Sequence, residues 1–127
     1  MVNRVIIIDD DPISILVTGT MMRKNEFAKE LSSFEKPEKA LEYFKNEYPW
    51  EEGAPDYIFL DVQMPKVNAW EFLDSYSKIY DCSDKRKHII LLSATFNPDD
   101  ETKARTHSMV LELITKPING RILERLL

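Results

Sequence analysis

Val5-Ile6-Ile7-Ile8, Tyr57-Ile58-Phe59-Leu60 and His88-Ile89-Ile90-Leu91-Leu92 are short apolar runs with little or no polar alternation. Runs of this kind fit strands buried on both faces, and sheets covered on both faces are parallel ones. Parallel strands need crossover connections, and the intervening stretches carry helical spacing. This alternation leaves few folds open.

Asp9-Asp10-Asp11 precedes Pro12, which suits the first turn of a helix with an aspartate as its cap. Ile13, Leu16, Val17 and Met21 recur at helical spacing and carry that helix to about Asn25. Gly19 inside it points to close packing of helix on sheet, at a cost of about 1 kcal/mol against alanine. Lys29 to Phe34 is a polar strand suited to a sheet edge. Pro37 opens a helix with Ala40, Leu41 and Phe44 inward, and Trp50 to Pro55 is an acidic loop. Asn68 caps a helix whose apolar positions are Trp70, Phe72, Leu73, Tyr76 and Ile79, a core face. Asp81 to Lys87 is a charged connection. Asn97-Pro98-Asp99-Asp100-Glu101 starts a helix with acidic residues in its first turn, running to about His107. Val110 to Ile114 is a fifth strand, and Asn119 opens a last helix with Ile122, Leu123 and Leu126 apolar. The order is βαβαβαβαβα, an α/β doubly wound three-layer sandwich with right-handed crossovers.

At 127 residues, the chain suits one domain spanning residues 1–127. Charged residues make up 31% and hydrophobic ones 43%, a globular composition. No apolar run approaches the roughly 20 residues a membrane helix needs, and no signal peptide opens the chain. The net charge of -5 disfavours nucleic acid as a partner. Cys82 is the single cysteine, an ordinary thiol with no disulfide or metal cluster to join. His88 and His107 lack partners at metal or catalytic spacing and read as surface or packing residues. A soluble, cytoplasmic protein is expected.

Four strands end in chemistry: the first in Asp9-Asp10, the third in Asp61, the fourth in Ser93 and the fifth in Lys116. In parallel strands these ends share one edge of the sheet, where open α/β sheets bind ligands. Three carboxylates, a hydroxyl and an ammonium then meet in one shallow pocket. Crowded carboxylates call for a cation, and hard oxygen ligands suit Mg²⁺. A metal opposite a lysine clamps a phosphoryl group, and Ser93 can donate a hydrogen bond to it. A carboxylate can itself be the nucleophile and form an acyl phosphate. Asp61, on the central strand, is the candidate.

Ile8-Asp9-Asp10-Asp11-Pro12, Leu60-Asp61-Val62-Gln63-Met64-Pro65, Ser93-Ala94 and Lys116-Pro117 together resemble the receiver domains of two-component response regulators. The resemblance covers nearly the whole chain, and four motifs in order at strand ends make it specific. It implies a flavodoxin-like (βα)5 fold with a five-stranded parallel sheet of order 2-1-3-4-5. It implies that Asp61 accepts a phosphoryl group from a histidine of a sensor kinase or histidine phosphotransfer protein. Asp10, Asp61 and the backbone carbonyl of Gln63 would bind Mg²⁺, with Asp9 positioning it. Lys116 would pair with the phosphoryl group and Ser93 would report it. The Gln63 and Thr95 side chains would tune its lifetime. Implied too are a downstream protein, and a monomer or weak phosphorylation-dependent dimer that binds neither nucleic acid nor membrane. Turnover would be limited to self-phosphorylation and self-dephosphorylation. Two positions depart from the family. Ala69 stands where glycine is usual, a cost if the backbone there needs a positive φ. Leu113 stands where an aromatic residue usually completes the switch.

Two other functions fit parts of the pattern. A phosphatase of the haloacid dehalogenase type also uses a strand-end aspartate, but it has a second aspartate where this chain has Gln63. A phosphorylation-independent, receiver-like binding domain would not need Asp9, Asp10, Asp61 and Lys116 intact. Nucleotide binding through a glycine-rich loop lacks its motif, since neither G-x-G-x-x-G nor a P-loop is present.

Overall fold

The computed structural model describes residues 1–80 and 86–127. Cys82 and most of the charged connection lie outside the described residues. The elements are β1 (Val2–Ile8), α1 (Pro12–Lys24), β2 (Ala28–Phe34), α2 (Pro37–Asn46), a 3-10 turn (Trp50–Glu52), β3 (Tyr57–Asp61), α3 (Ala69–Ile79), β4 (Ile89–Ser93), α4 (Pro98–Thr106), β5 (Val110–Thr115) and α5 (Gly120–Leu126). The five strands run in the order β2-β1-β3-β4-β5, every pair parallel. The expected fold class and strand order are both present.

Strand alternation divides the core between the two faces of the sheet. Ile6, Ile8, Ile58, Leu60, Ile89 and Leu91 pack under α2 and α3 with Phe44, Phe72, Leu73 and Tyr76. Val5, Ile7, Phe59, Ile90 and Leu92 pack under α1 and α5 with Met22, Leu123 and Leu126. The polar strand β2 lies at an edge, as its sequence requires.

Helix α1 forms, but three of the four residues in the stripe that defines it face water, and only Met21 packs against the core. Ile13 is 70% exposed, Leu16 63% and Val17 49%. The buried stripe is Thr18, Gly19 and Met22, with Ile15 half-buried. Both stripes have helical spacing, and the less apolar one lies on the sheet. A Cβ at Gly19 would meet the Arg23 guanidinium at 3.3 Å, so a side chain of its own helix, rather than the sheet, crowds this glycine. The helix ends in a Schellman turn: the Phe27 N–H donates to Met22 and the Glu26 N–H to Arg23. Glu26 takes a left-handed backbone there, with φ at 49°.

Ala69 does not need a positive φ. It is the first residue of α3, fully buried behind an Asn68–Glu71 capping box. His88 lies just outside β4 and is buried. Its Nε2 is 2.8 Å from the Tyr76 hydroxyl, and Nδ1 is 3.0 Å from the Arg86 carbonyl. It is a packing histidine.

Candidate functional site

β1 and β3 are neighbours, and the crossovers that follow them leave on opposite faces: α1 after β1 covers one side and α3 after β3 the other. The strand ends therefore open into a crevice, the usual binding position in sheets of this order. Ile8 pairs with Leu60 across β1 and β3, so Asp9 and Asp61 leave the sheet side by side. Ser93 pairs with Thr115, which brings Lys116 to the same edge. The Lys116 N–H donates to the Ser93 carbonyl at 2.8 Å and fixes that approach.

Asp9 is 1% exposed and Asp61 6%, whereas Asp10 is open to solvent. Carboxylate oxygens of the three lie within 4.8 Å of one another. The Lys116 ammonium donates to Asp9 Oδ2 at 2.8 Å and stands 3.7 Å from Asp61 Oδ1. The other Asp9 oxygen accepts the Asp11 N–H at 3.0 Å, while Asp11 caps α1 by accepting the Ile13 N–H at 3.0 Å. Asp61 Oδ1 also accepts the Gln63 N–H, at 3.3 Å.

These contacts separate the two buried carboxyls. Burial pushes Asp9 up, but hydrogen bonds from Lys116, Ser14 and Asp11 outweigh it and hold Asp9 below the usual carboxylate value. Asp61 is pushed up to about 6, first by burial and then by the Asp9 charge, with Lys116 offsetting only part. One ammonium thus faces three carboxylates. That surplus of hard, anionic oxygen fits a small divalent cation such as Mg²⁺.

Asp9, Asp10, Asp61 and Lys116 come together in one cluster. Ser93, 2% exposed, sits beside it on the next strand end, but its hydroxyl is engaged locally. It donates to the Thr95 carbonyl and accepts the Thr95 N–H at 3.3 Å. Gln63 and Thr95 are exposed at the rim. Two features escaped the sequence. The exposed apolar stripe of α1 rises next to the carboxylates. A cleft of about 340 Å³ lies against Asp10, walled by Lys36, Pro37, Glu38, Met64 and Lys66. The prolines at 37 and 65 were the sequence signal for loops bracketing such a cleft.

A sequence model of the response regulator receiver domain matches residues 5–127. Hybrid signal transduction histidine kinase C of Dictyostelium discoideum is 30% identical over 98% of the chain, which spans 10% of that protein's length. Protein-glutamate methylesterase/protein-glutamine glutaminase 3 of Burkholderia thailandensis is 27% identical over 90% of the chain, which spans 29% of that protein. Among solved structures, a two-component response regulator from Cytophaga hutchinsonii superposes with a TM-score of 0.88 at 28% identity, covering 98% of this chain and 93% of its own. A response regulator receiver protein from Dyadobacter fermentans has the same fold, with a TM-score of 0.76 at 22% identity, covering 98% and 97%.

Proposed function

The chain belongs to the response regulator receiver domain family, and from that premise we propose that Asp61 is its phosphoacceptor. An Asp61 carboxylate oxygen attacks the phosphorus of a phosphohistidine. The new O–P bond forms as the N–P bond breaks, and the imidazole leaves with the electron pair and takes up a proton. The product is an acyl phosphate on the protein. The observation that carries the reading is the pairing of Asp61, a nearly buried carboxylate, with Lys116 at the same strand-end edge.

Asp10, Asp61 and the Gln63 backbone carbonyl would hold Mg²⁺, and Asp9 would position it. When bound, the ion neutralises charge on the transferring group. Lys116 supplies the second positive charge. Its bond to Asp9 keeps the ammonium at the pocket wall, one short swing from the Asp61 oxygens. Ser93 gives up the Thr95 carbonyl to donate to the phosphoryl oxygen.

The donor is a sensor histidine kinase or a histidine phosphotransfer protein, met in the cytoplasm. Ile13, Leu16 and Val17 form an exposed apolar stripe at i, i+3 and i+4 beside the pocket, suited to a partner helix. The chain turns over no external substrate on this reading; it loads and loses its own phosphoryl group.

Incubation with acetyl phosphate and Mg²⁺ tests the assignment by mass spectrometry. The protein should gain one phosphoryl group, labile to hydroxylamine, on the peptide that contains Asp61. An Asp61→Asn variant labelled as fully at the same peptide would refute it.

A further inference from the structure

Helix α4 is attached differently from the other helices. α2 buries Ala40 and Phe44, α3 buries Phe72, Leu73 and Tyr76, and α5 buries Leu123 and Leu126. α4 buries Ala104 alone. Its inward stripe is Asp100, Glu101, Ala104 and His107, so the remaining positions at helical spacing are titratable side chains, only half-buried. A helix polar on nearly all sides gains little from the hydrophobic effect, and its attachment must come from elsewhere.

Beyond its packing on β5, part of it comes from one aromatic ring. Trp70, in the first turn of α3, is half-buried. The Lys103 ammonium lies 5.5 Å from the centre of its ring, and the His107 ring lies 6.4 Å away. His107 is fixed in turn, because its Nδ1 accepts the Met109 N–H at 3.2 Å where the chain enters β5. The space around these contacts is an open cleft of about 300 Å³ lined by Trp70, Lys103, Thr106 and His107. α4 otherwise lies on β5. Trp70 thus bridges an open gap and touches Lys103 of the helix and His107, its C-cap residue.

We propose that Trp70 is a latch for α4. The ring holds Lys103 and His107 by cation–π and aromatic contact, and α4 docks and releases as a unit according to whether that contact is made. Trp70 acts as a positioning residue for the helix. Every group involved lies outside the carboxylate pocket, so the latch is measurable in the unphosphorylated protein.

Native-state amide hydrogen exchange decides the matter. In the wild-type protein, amides Glu101 to Thr106 should exchange much faster than Ile89 to Ser93 of β4. Trp70→Ala should speed exchange across α4 by about tenfold and leave β4 and α3 residues 72–79 unchanged. Lys103→Gln touches no core residue and should speed α4 exchange by about two- to threefold, again with β4 unchanged. Wild-type α4 protected as strongly as β4 would overturn the proposal. So would α4 protection unaltered in Lys103→Gln and Trp70→Ala, or a loss in Trp70→Ala spread evenly over the sheet.

Discussion

Asp61→Asn should stabilise the metal-free protein, and the gain should depend on pH. Asp61 is pushed up to about 6 from an ordinary value of about 3.8. Between those values the native state holds a proton that the unfolded chain has released, so stability falls as pH rises through the window. The cost of the ionised carboxylate is absent well below about pH 3.8 and fully present above about pH 6. A shift of about two units corresponds to about 3 kcal/mol at about pH 7.5, and to about 1 kcal/mol at about pH 4.5. Solvent screens little of this, since the side chain is only 9% exposed. Asparagine keeps the shape and removes the charge. Urea unfolding is the assay: for a slope of about 1.5 kcal/mol per molar, the midpoint should rise by about 2 M at the higher pH and by well under 1 M at the lower. Saturating Mg²⁺ should shrink the gain, because the cation stabilises the ionised wild type. A variant no more stable than wild type at about pH 7.5, or a gain equal at both pH values, would refute the reasoning.

Mg²⁺ should raise the melting temperature of the wild type by mass action, and Asp10→Ala should lose most of that response; an unchanged response places the metal elsewhere. Leu16→Glu should leave labelling by acetyl phosphate intact and slow transfer from a phosphorylated protein donor at least tenfold, since only the second reaction uses the α1 stripe. Glu26→Gly should stabilise by about 1 kcal/mol, read as a higher urea midpoint, because its φ of 49° strains any residue with a Cβ; equal or lower stability would show the strain is absent. A beryllofluoride mimic should shift the backbone amide signals of residues 93–103 strongly and that of Leu113 weakly; the reverse pattern would move the switch to β5.

What was legible in the sequence was what the backbone alone decides. Val5 to Ile8 and Tyr57 to Leu60 have no polar face, so they had to be central strands, and parallel strands send Asp9, Asp61, Ser93 and Lys116 to one edge. Helical spacing does not distinguish two stripes that share a period. Ile13, Leu16 and Val17 are more apolar than Thr18, Gly19 and Met22, yet the second stripe lies on the sheet. The apolar surplus on the outer face is surface kept for something other than folding. Side-chain partners were equally hidden. Lys116 was expected opposite a phosphoryl group, and its hydrogen bond goes to Asp9. Ser93 was expected to face the pocket, and its hydroxyl is taken by Thr95. Both depend on which of several close acceptors offers the better geometry, which spacing does not encode. Ala69 misled for a related reason. Glycine at that position suggests a left-handed turn, but here Asn68 and Glu71 cap the helix and Ala69 starts it.

The tie between Ser93 and Thr95 bears on how a signal leaves the pocket. A phosphoryl group can shift the domain only through contacts that differ between its two states. Leu113 offers few: it is half-buried among the residues under α3, and it has neither a ring to rotate nor a hydroxyl to re-pair. The β4–α4 segment offers several. If Ser93 turns to a phosphoryl oxygen, the Thr95 carbonyl loses its donor. Phe96 follows directly, 62% exposed, with about 1 to 2 kcal/mol of burial still available to it. Asn97 comes next, capping α4 through the Asp99 and Asp100 N–H groups at 2.9 and 3.4 Å. Four positions within a five-residue stretch, Ser93, Thr95, Phe96 and Asn97, therefore link the pocket to the helix that buries least. The opposing force is small, one buried alanine, half-buried polar contacts on β5 and the contacts to Trp70, so a hydrogen bond exchanged at Ser93 is of the right size to bias it. An aromatic residue at the position of Leu113 is dispensable in such an arrangement, because the ring that registers the state of α4 is Trp70, on α3.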